Sequence, residues 1–255
     1  MSRHLMIAGY GRAGTTLFYN MLRETLKGFE IPPRETSALA TIARPGNWVS
    51  KRPLDIFQVP NVARANRREK RLDLIVPLRD PRDILVSRHS AVPDDYFISA
   101  DRMYFIDGDD APAPIMPGLL QIHEAIGTVL NSGIFPQGVF LLKYEDLVND
   151  PDRIQTKLGD AFDLQFEGSF SDYGSTKVPS ALQGPLNGVR PVEKARAKWR
   201  GEEHRARIFD QFSRFPVLFD LLVQLGYEKD REWYAPFMEW QAAFSDRRGV
   251  RVRFG

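Results

Sequence analysis

Leu5 to Ala8 is a short apolar run almost at the amino terminus, and Gly9, Gly11 and Gly14 follow it at once. A buried strand that breaks into a glycine loop predicts the first strand-to-helix unit of an α/β sheet. Beyond the loop, Leu17, Met21 and Leu22 recur at helical spacing, so a helix is expected near Thr15 and Thr16 with those threonines as its caps. Such a start aims backbone N–H groups and the positive end of the helix dipole into the loop. The unit therefore reads as an anion cradle suited to phosphate. A glycine turn that binds nothing is the plainer alternative, because short glycine motifs recur by chance.

At 255 residues, with 43% hydrophobic and 27% charged residues, the chain is long enough to bury a sizeable core, and one domain over residues 1–255 is expected. Formal net charge is only +2, so anion binding must come from arginines placed locally and not from a global field. The absence of cysteine excludes disulfides and thiolate metal sites and is compatible with a reducing cytosol, so a cytoplasmic location is expected. His4, His89, His123 and His204 are scattered, with no pair at metal-binding spacing, and no metal is expected. No apolar run approaches the roughly 20 residues of a membrane span, and Leu5 to Tyr10 is too short for a signal-peptide core.

Further strands are expected at Trp48 to Ser50, Leu72 to Leu78 and Gly138 to Lys143, and helices at Leu119 to Leu130 and Asp152 to Phe162. The run Arg67 to Arg71 has no interleaved aromatics and reads as a solvated helix end, so no nucleic-acid partner is expected. After the Leu72 strand, Pro81 stands at a first helical position and Asp83 in the first turn. Residues 90–117 are acidic and proline-rich and read as a long loop, a candidate lid over an acceptor. The arginine-rich segment 246–255 reads as a flexible solvated tail.

The loop resembles a Walker A sequence in the separation of Gly9 and Gly14 and in the hydroxyl of Thr16, but Thr15 stands where that motif requires lysine. An ordinary ATPase or kinase is disfavoured for that reason. Tyr10-Gly11-Arg12-Ala13-Gly14-Thr15-Thr16 instead resembles the 5'-phosphosulfate loop of sulfotransferases that use 3'-phosphoadenosine-5'-phosphosulfate (PAPS), with Ala13 where the family usually carries serine. Arg79 and Ser87, eight residues apart, are similar to the 3'-phosphate signature of the same family. Tyr144-Glu-Asp-Leu147 resembles the segment whose tyrosine lies near the adenine, and Arg190-Pro, Lys198-Trp199 and Gly226-Tyr227 resemble the end of the protein-tyrosine and carbohydrate branches. The resemblance runs from Leu5 to Tyr227 in ordered pieces. It implies a three-layer α/β fold with a central parallel sheet flanked by helices, like that of P-loop NTPases.

The resemblance also implies the roles. Gly11, Arg12, Ala13, Gly14, Thr15, Thr16, Arg79, Ser87, Tyr144 and Arg190 would hold PAPS, and 3'-phosphoadenosine-5'-phosphate (PAP) would be the product. Cytosolic members use a histidine base within Lys-Thr-His, where this chain has Lys51-Arg52-Pro53. Protein-tyrosine and several bacterial members use a glutamate some twenty-odd residues after the loop arginine, and Glu35 lies twenty-three after Arg12. Glu35 is thus the candidate base with Asp55 in reserve, and Arg12 and Lys51 are candidates to offset charge on the transferred group and leaving oxygen. A surface glutamate paired with Arg34 is the alternative for Glu35. The implied acceptor is the hydroxyl or amine of a small molecule, sugar or peptide. Rival readings are a nucleotide or sugar kinase and a non-catalytic PAPS-binding protein.

Overall fold

The computed structural model describes residues 1–87, 97–106, 112–175, 194 and 196–248. Four parallel strands form the central sheet: β1 (Arg3–Ile7), β2 (Trp48–Lys51), β3 (Arg71–Leu78) and β7 (Val139–Lys143), in the spatial order β2-β1-β3-β7. Helices cover both faces, giving the α/β class expected from the sequence.

Alternation along the strands assigns the two cores. Leu5 and Ile7 of β1, with Ile75 of β3, join Phe18 and Leu22 of helix α1 (Thr15–Thr25) and Leu158 and Phe162 of α7 (Pro151–Phe162). Met6, Leu74 and Val76 point the other way, into a larger core. There they meet Val62 of α3 (Val59–Ala65), Ile126 of α5 (Leu119–Leu130) and the carboxyl-terminal helices α8 (Arg205–Arg214), α9 (Val217–Gln224) and α10 (Ala235–Arg248). Two shorter helices, α2 (Ala38–Thr41) and α6 (Tyr144–Asn149), flank β2 and β7.

Two expectations are corrected here. The stretch read as a long loop at 90–117 contains, in its described part, an antiparallel sheet of β4 (Phe97–Ile98), β5 (Arg102–Ile106) and β6 (Pro112–Pro117). Its prolines and aspartates hid the strands from a reading by propensity, and packing holds the sheet instead. Ser99 Oγ and the Ala100 amide both donate to the buried Gln211 side chain, at 2.6 and 3.0 Å, and Arg207 donates to the carbonyls of Leu85 and Ile98. The run Arg67 to Arg71 is not wholly a solvated helix end either, because Lys70 is buried and Arg71 opens β3. Asp94, Asp95, Asp107, Asp109 and Asp110 of the candidate lid, and residues 249–255 of the tail, lie outside the described residues.

Candidate functional site

The loop between β1 and α1 is built by backbone that only glycine, or a held residue, adopts without cost. Gly9 has φ 127° and Gly14 φ 76°, and Arg12, a non-glycine, sits at φ 61°. A Cβ at Gly9 would come within 2.8 Å of Val76 Cγ1, and one at Gly14 would run into the Tyr144 ring. Both positions therefore need glycine for space as well as for angle. Helix α1 starts at Thr15 with Gly14 as its N-cap and no side-chain cap bond, so Thr15 and Thr16 are not caps. They occupy the first turn, and the loop rather than a hydroxyl precedes the helix amides. Those amides and the dipole face the loop, an arrangement that suits an anion.

The Arg79–Ser87 segment meets the glycine loop directly. Arg79 follows β3 at once and donates from Nη1 to the Arg12 carbonyl at 3.1 Å, while Arg12 Nε donates to Ser87 Oγ at 2.9 Å. Arg79 also pairs with Asp83 at 3.3 Å and lies 4.8 Å from the Tyr144 ring centre. Among the described residues its buried Nε has no hydrogen-bond partner, a donor that a bound anion would satisfy. Helix α4 (Pro81–Leu85) begins with Pro81 at its first position and is capped by Asp80, which accepts from the Arg82 amide. It ends at Leu85, so Ser87 stands just beyond the helix and not on it.

Lys51, the last residue of β2, is buried beside the loop. Its Nζ donates to Thr16 Oγ1 at 3.1 Å and to Glu35 at 2.5 Å. Glu35 is 47% exposed, and its partner is Lys51 rather than Arg34. The neighbouring Thr36 exchanges backbone hydrogen bonds with Lys51, which fixes the register that brings Glu35 to the site. Asp55 has a different post: one oxygen accepts from the Ala38 amide at 2.6 Å and the other from Ser37 Oγ at 3.2 Å, at the start of α2. Burial raises its pKa, with these hydrogen bonds opposing. Arg52 is half-exposed and 4.0 Å from Asp55.

A layer of side chains that sequence reasoning missed holds this machinery from behind. Arg82 is buried between Trp199 and Trp233, at 3.9 and 4.4 Å from their ring centres, and pairs with Asp80 and Glu228. The Trp199 amide donates to Asp83, the carboxylate that also holds Arg79. Glu145 accepts from the Asp80 amide and from the Tyr227 hydroxyl. Burial and the nearby Glu145 carboxylate push the Tyr227 phenol well above its ordinary pKa. The Lys198-Trp199 and Gly226-Tyr227 pairs were visible in the sequence, but nothing local marks their targets, which lie more than eighty residues away.

The structure thus brings Gly11 to Thr16, Lys51, Glu35, Arg79, Ser87 and Tyr144 to the carboxyl ends of adjacent parallel strands, where ligands of α/β sheets bind. Arg190 lies outside the described residues. Among the described residues, no three His, Asp or Glu side chains are grouped to hold a metal, and no helix is long and apolar enough to cross a membrane. No family model and no curated protein matches the chain. Among solved structures, it is similar to a sulfotransferase domain from the curacin biosynthetic pathway, with a TM-score of 0.50 and 15% identity over 83% of this chain and 97% of that one. At that identity the likeness shows the fold: a central parallel sheet flanked by helices, as in a sulfotransferase domain.

Proposed function

We propose that the protein is a PAPS-dependent sulfotransferase acting on the hydroxyl or amine of a small-molecule, sugar or peptide acceptor. The observation that carries the reading is the direct contact of two phosphate motifs sixty-seven residues apart, Arg79 to the Arg12 carbonyl, with Arg12 in turn on Ser87. The residues fit the co-substrate in two further respects. Among the described residues Arg79 keeps a buried Nε without a hydrogen-bond partner, and Gly14 clears the space against the Tyr144 ring that any side chain would fill.

In this reading PAPS supplies a sulfuryl group on a phosphate leaving group, and the protein supplies position and fixed positive charge. The loop amides and Arg12 face the 5'-phosphosulfate. Arg79 and Ser87 hold the 3'-phosphate, the guanidinium giving paired donors. Tyr144 offers a flat apolar face for the adenine. Lys51, already on Thr16, offsets charge on the bridging oxygen as the bond to sulfur breaks, and Glu35 takes the acceptor proton on its carboxylate during in-line transfer.

The test is a melting experiment comparing PAP with ATP and magnesium, followed by transfer from labelled PAPS to an acceptor library. Stabilisation by PAP and not by ATP with magnesium, with label on an acceptor, is the expected result. A shift only with ATP and magnesium would replace the reading with a kinase. PAP binding without transfer to any acceptor would leave a non-catalytic binding protein.

A further inference from the structure

The phosphate loop is tied to the helical layer behind it through one buried hydroxyl. Tyr10 lies between Gly9 and Gly11 in the limb that rises from β1, is 1% exposed, and donates or accepts at 2.8 Å with Nδ1 of His123 on α5. The two ring planes are nearly parallel, at 15°, with centres 6.5 Å apart, so the rings meet end to end through this hydrogen bond. On the other side His123 Nε2 is 3.1 Å from the Gln224 side-chain carbonyl at the end of α9. A carbonyl only accepts, so Nε2 carries the imidazole proton and Nδ1 is the acceptor. The Tyr10 hydroxyl is therefore the donor. Burial raises its pKa, which keeps that proton in place.

We propose that His123 is a positioning residue for the phosphate loop: it holds the Tyr10 hydroxyl, and through it the Gly9-Tyr10-Gly11 limb, in the conformation that receives the phosphosulfate. The inference rests on the sulfotransferase reading for its ligand but not for its geometry. Besides the Gly9 N–H, which donates to the Pro53 carbonyl at 2.8 Å, the limb is held by the Tyr10 hydroxyl, and the glycines on either side of Tyr10 make its ordering costly. A loop ordered beforehand spares the donor the entropy of ordering it. A loop left loose is ordered by the donor itself, so the loss falls on binding more than on the chemical step.

The experiment uses the full chain with Tyr10→Phe, His123→Ala, His123→Gln and the double variant Tyr10→Phe/His123→Ala. For either single truncation KM for PAPS should rise about fivefold to tenfold, the loss of one hydrogen bond, with kcat changed less than about twofold. The double variant should be no worse than the singles, because they remove the same tie. His123→Gln, which keeps an acceptor and a donor, should recover most of the loss. Without any ligand, amide hydrogen exchange at residues 9–14 should quicken in the truncations. Lower melting temperature with unchanged KM and unchanged loop exchange would overturn the proposal and leave a packing contact. Failure of the wild type to bind PAPS or PAP would sink the sulfotransferase reading, while the exchange measurement would still decide this one.

Discussion

Both ends of the parallel sheet contain buried charge, and the two ends use it differently. At the amino ends, Asp73 is fully buried on β3, and its Oδ2 accepts from Arg3 at 2.7 and 3.1 Å and from Arg71 at 3.3 Å. Both arginines also reach the Phe162 carbonyl, so the cluster staples two strands to the end of α7. At the carboxyl ends, Lys51 reaches Thr16 and Glu35, Arg79 reaches the Arg12 carbonyl and Asp83, and among the described residues Arg79 Nε is a buried donor without a hydrogen-bond partner. A charge cluster whose groups satisfy one another is a fastening. One whose pairs, Lys51 with Glu35 and Arg79 with Asp83, border a glycine loop sits where an incoming anion meets positive charge. Among the described residues, His4 Nδ1, Lys70 Nζ and Asp73 Oδ1 at the amino side are also buried without a hydrogen-bond partner, and burial lowers the Lys70 pKa.

The difference is broken or sharpened by substitutions at each end. The largest effect is expected from Asp73→Ala, which strips a buried carboxylate from two arginines and should cost about 3 kcal/mol of unfolding free energy in urea. PAP affinity of the folded variant should not change, and a large loss there would erase the distinction between the two ends. Glu35→Gln should do the reverse. Turnover should fall by about 100-fold, roughly 2.7 kcal/mol, with PAP affinity nearly intact, because apart from its ion pair with Lys51 the carboxylate would reach only the acceptor. Near-normal turnover would place the base elsewhere, and Asp55, being occupied at the start of α2, would be a poor substitute.

Arg79→Ala should remove most of the stabilisation that PAP confers, a charged hydrogen bond to phosphate being worth roughly 1.5 to 3 kcal/mol. Equal melting shifts in variant and wild type would rule out the 3'-phosphate site. An effect absent at neutral pH belongs to His4 at the amino end, buried against Ser50 at 3.0 Å. Burial first, and then the charge of Lys70, lowers its pKa from 6.5 to about 3. Between those values the unfolded chain binds a proton that the folded chain refuses. Its contribution to stability is therefore full above about pH 6.5 and is lost as pH falls toward 3, with a slope of at most about 1.4 kcal/mol per pH unit. Subtracting the pH profile of His4→Gln from that of the wild type isolates the term. An identical profile in the variant would mean that His4 takes up its proton in the fold as it does in the unfolded chain.

The sequence by itself determined the apolar strand runs, the glycine loop and the order of the motifs, because these depend on neighbours a few residues apart. Gly9 and Gly14 are readable as turn residues without any tertiary knowledge, and their positive φ angles follow. Pro81 and Asp83 mark the short α4 in the same way. The tertiary structure alone decided which polar groups meet. Glu35 faces Lys51 and not its neighbour Arg34 because Thr36 bridges to β2, and Ser87 meets Arg12 because β1 and β3 are adjacent in the sheet. The small antiparallel sheet was illegible for the same reason: its strands are held by Gln211 and Arg207, more than a hundred residues along the chain. Local pattern fixes the shape of each segment, whereas the partner of a buried charge is chosen by which segments packing brings within hydrogen-bond reach.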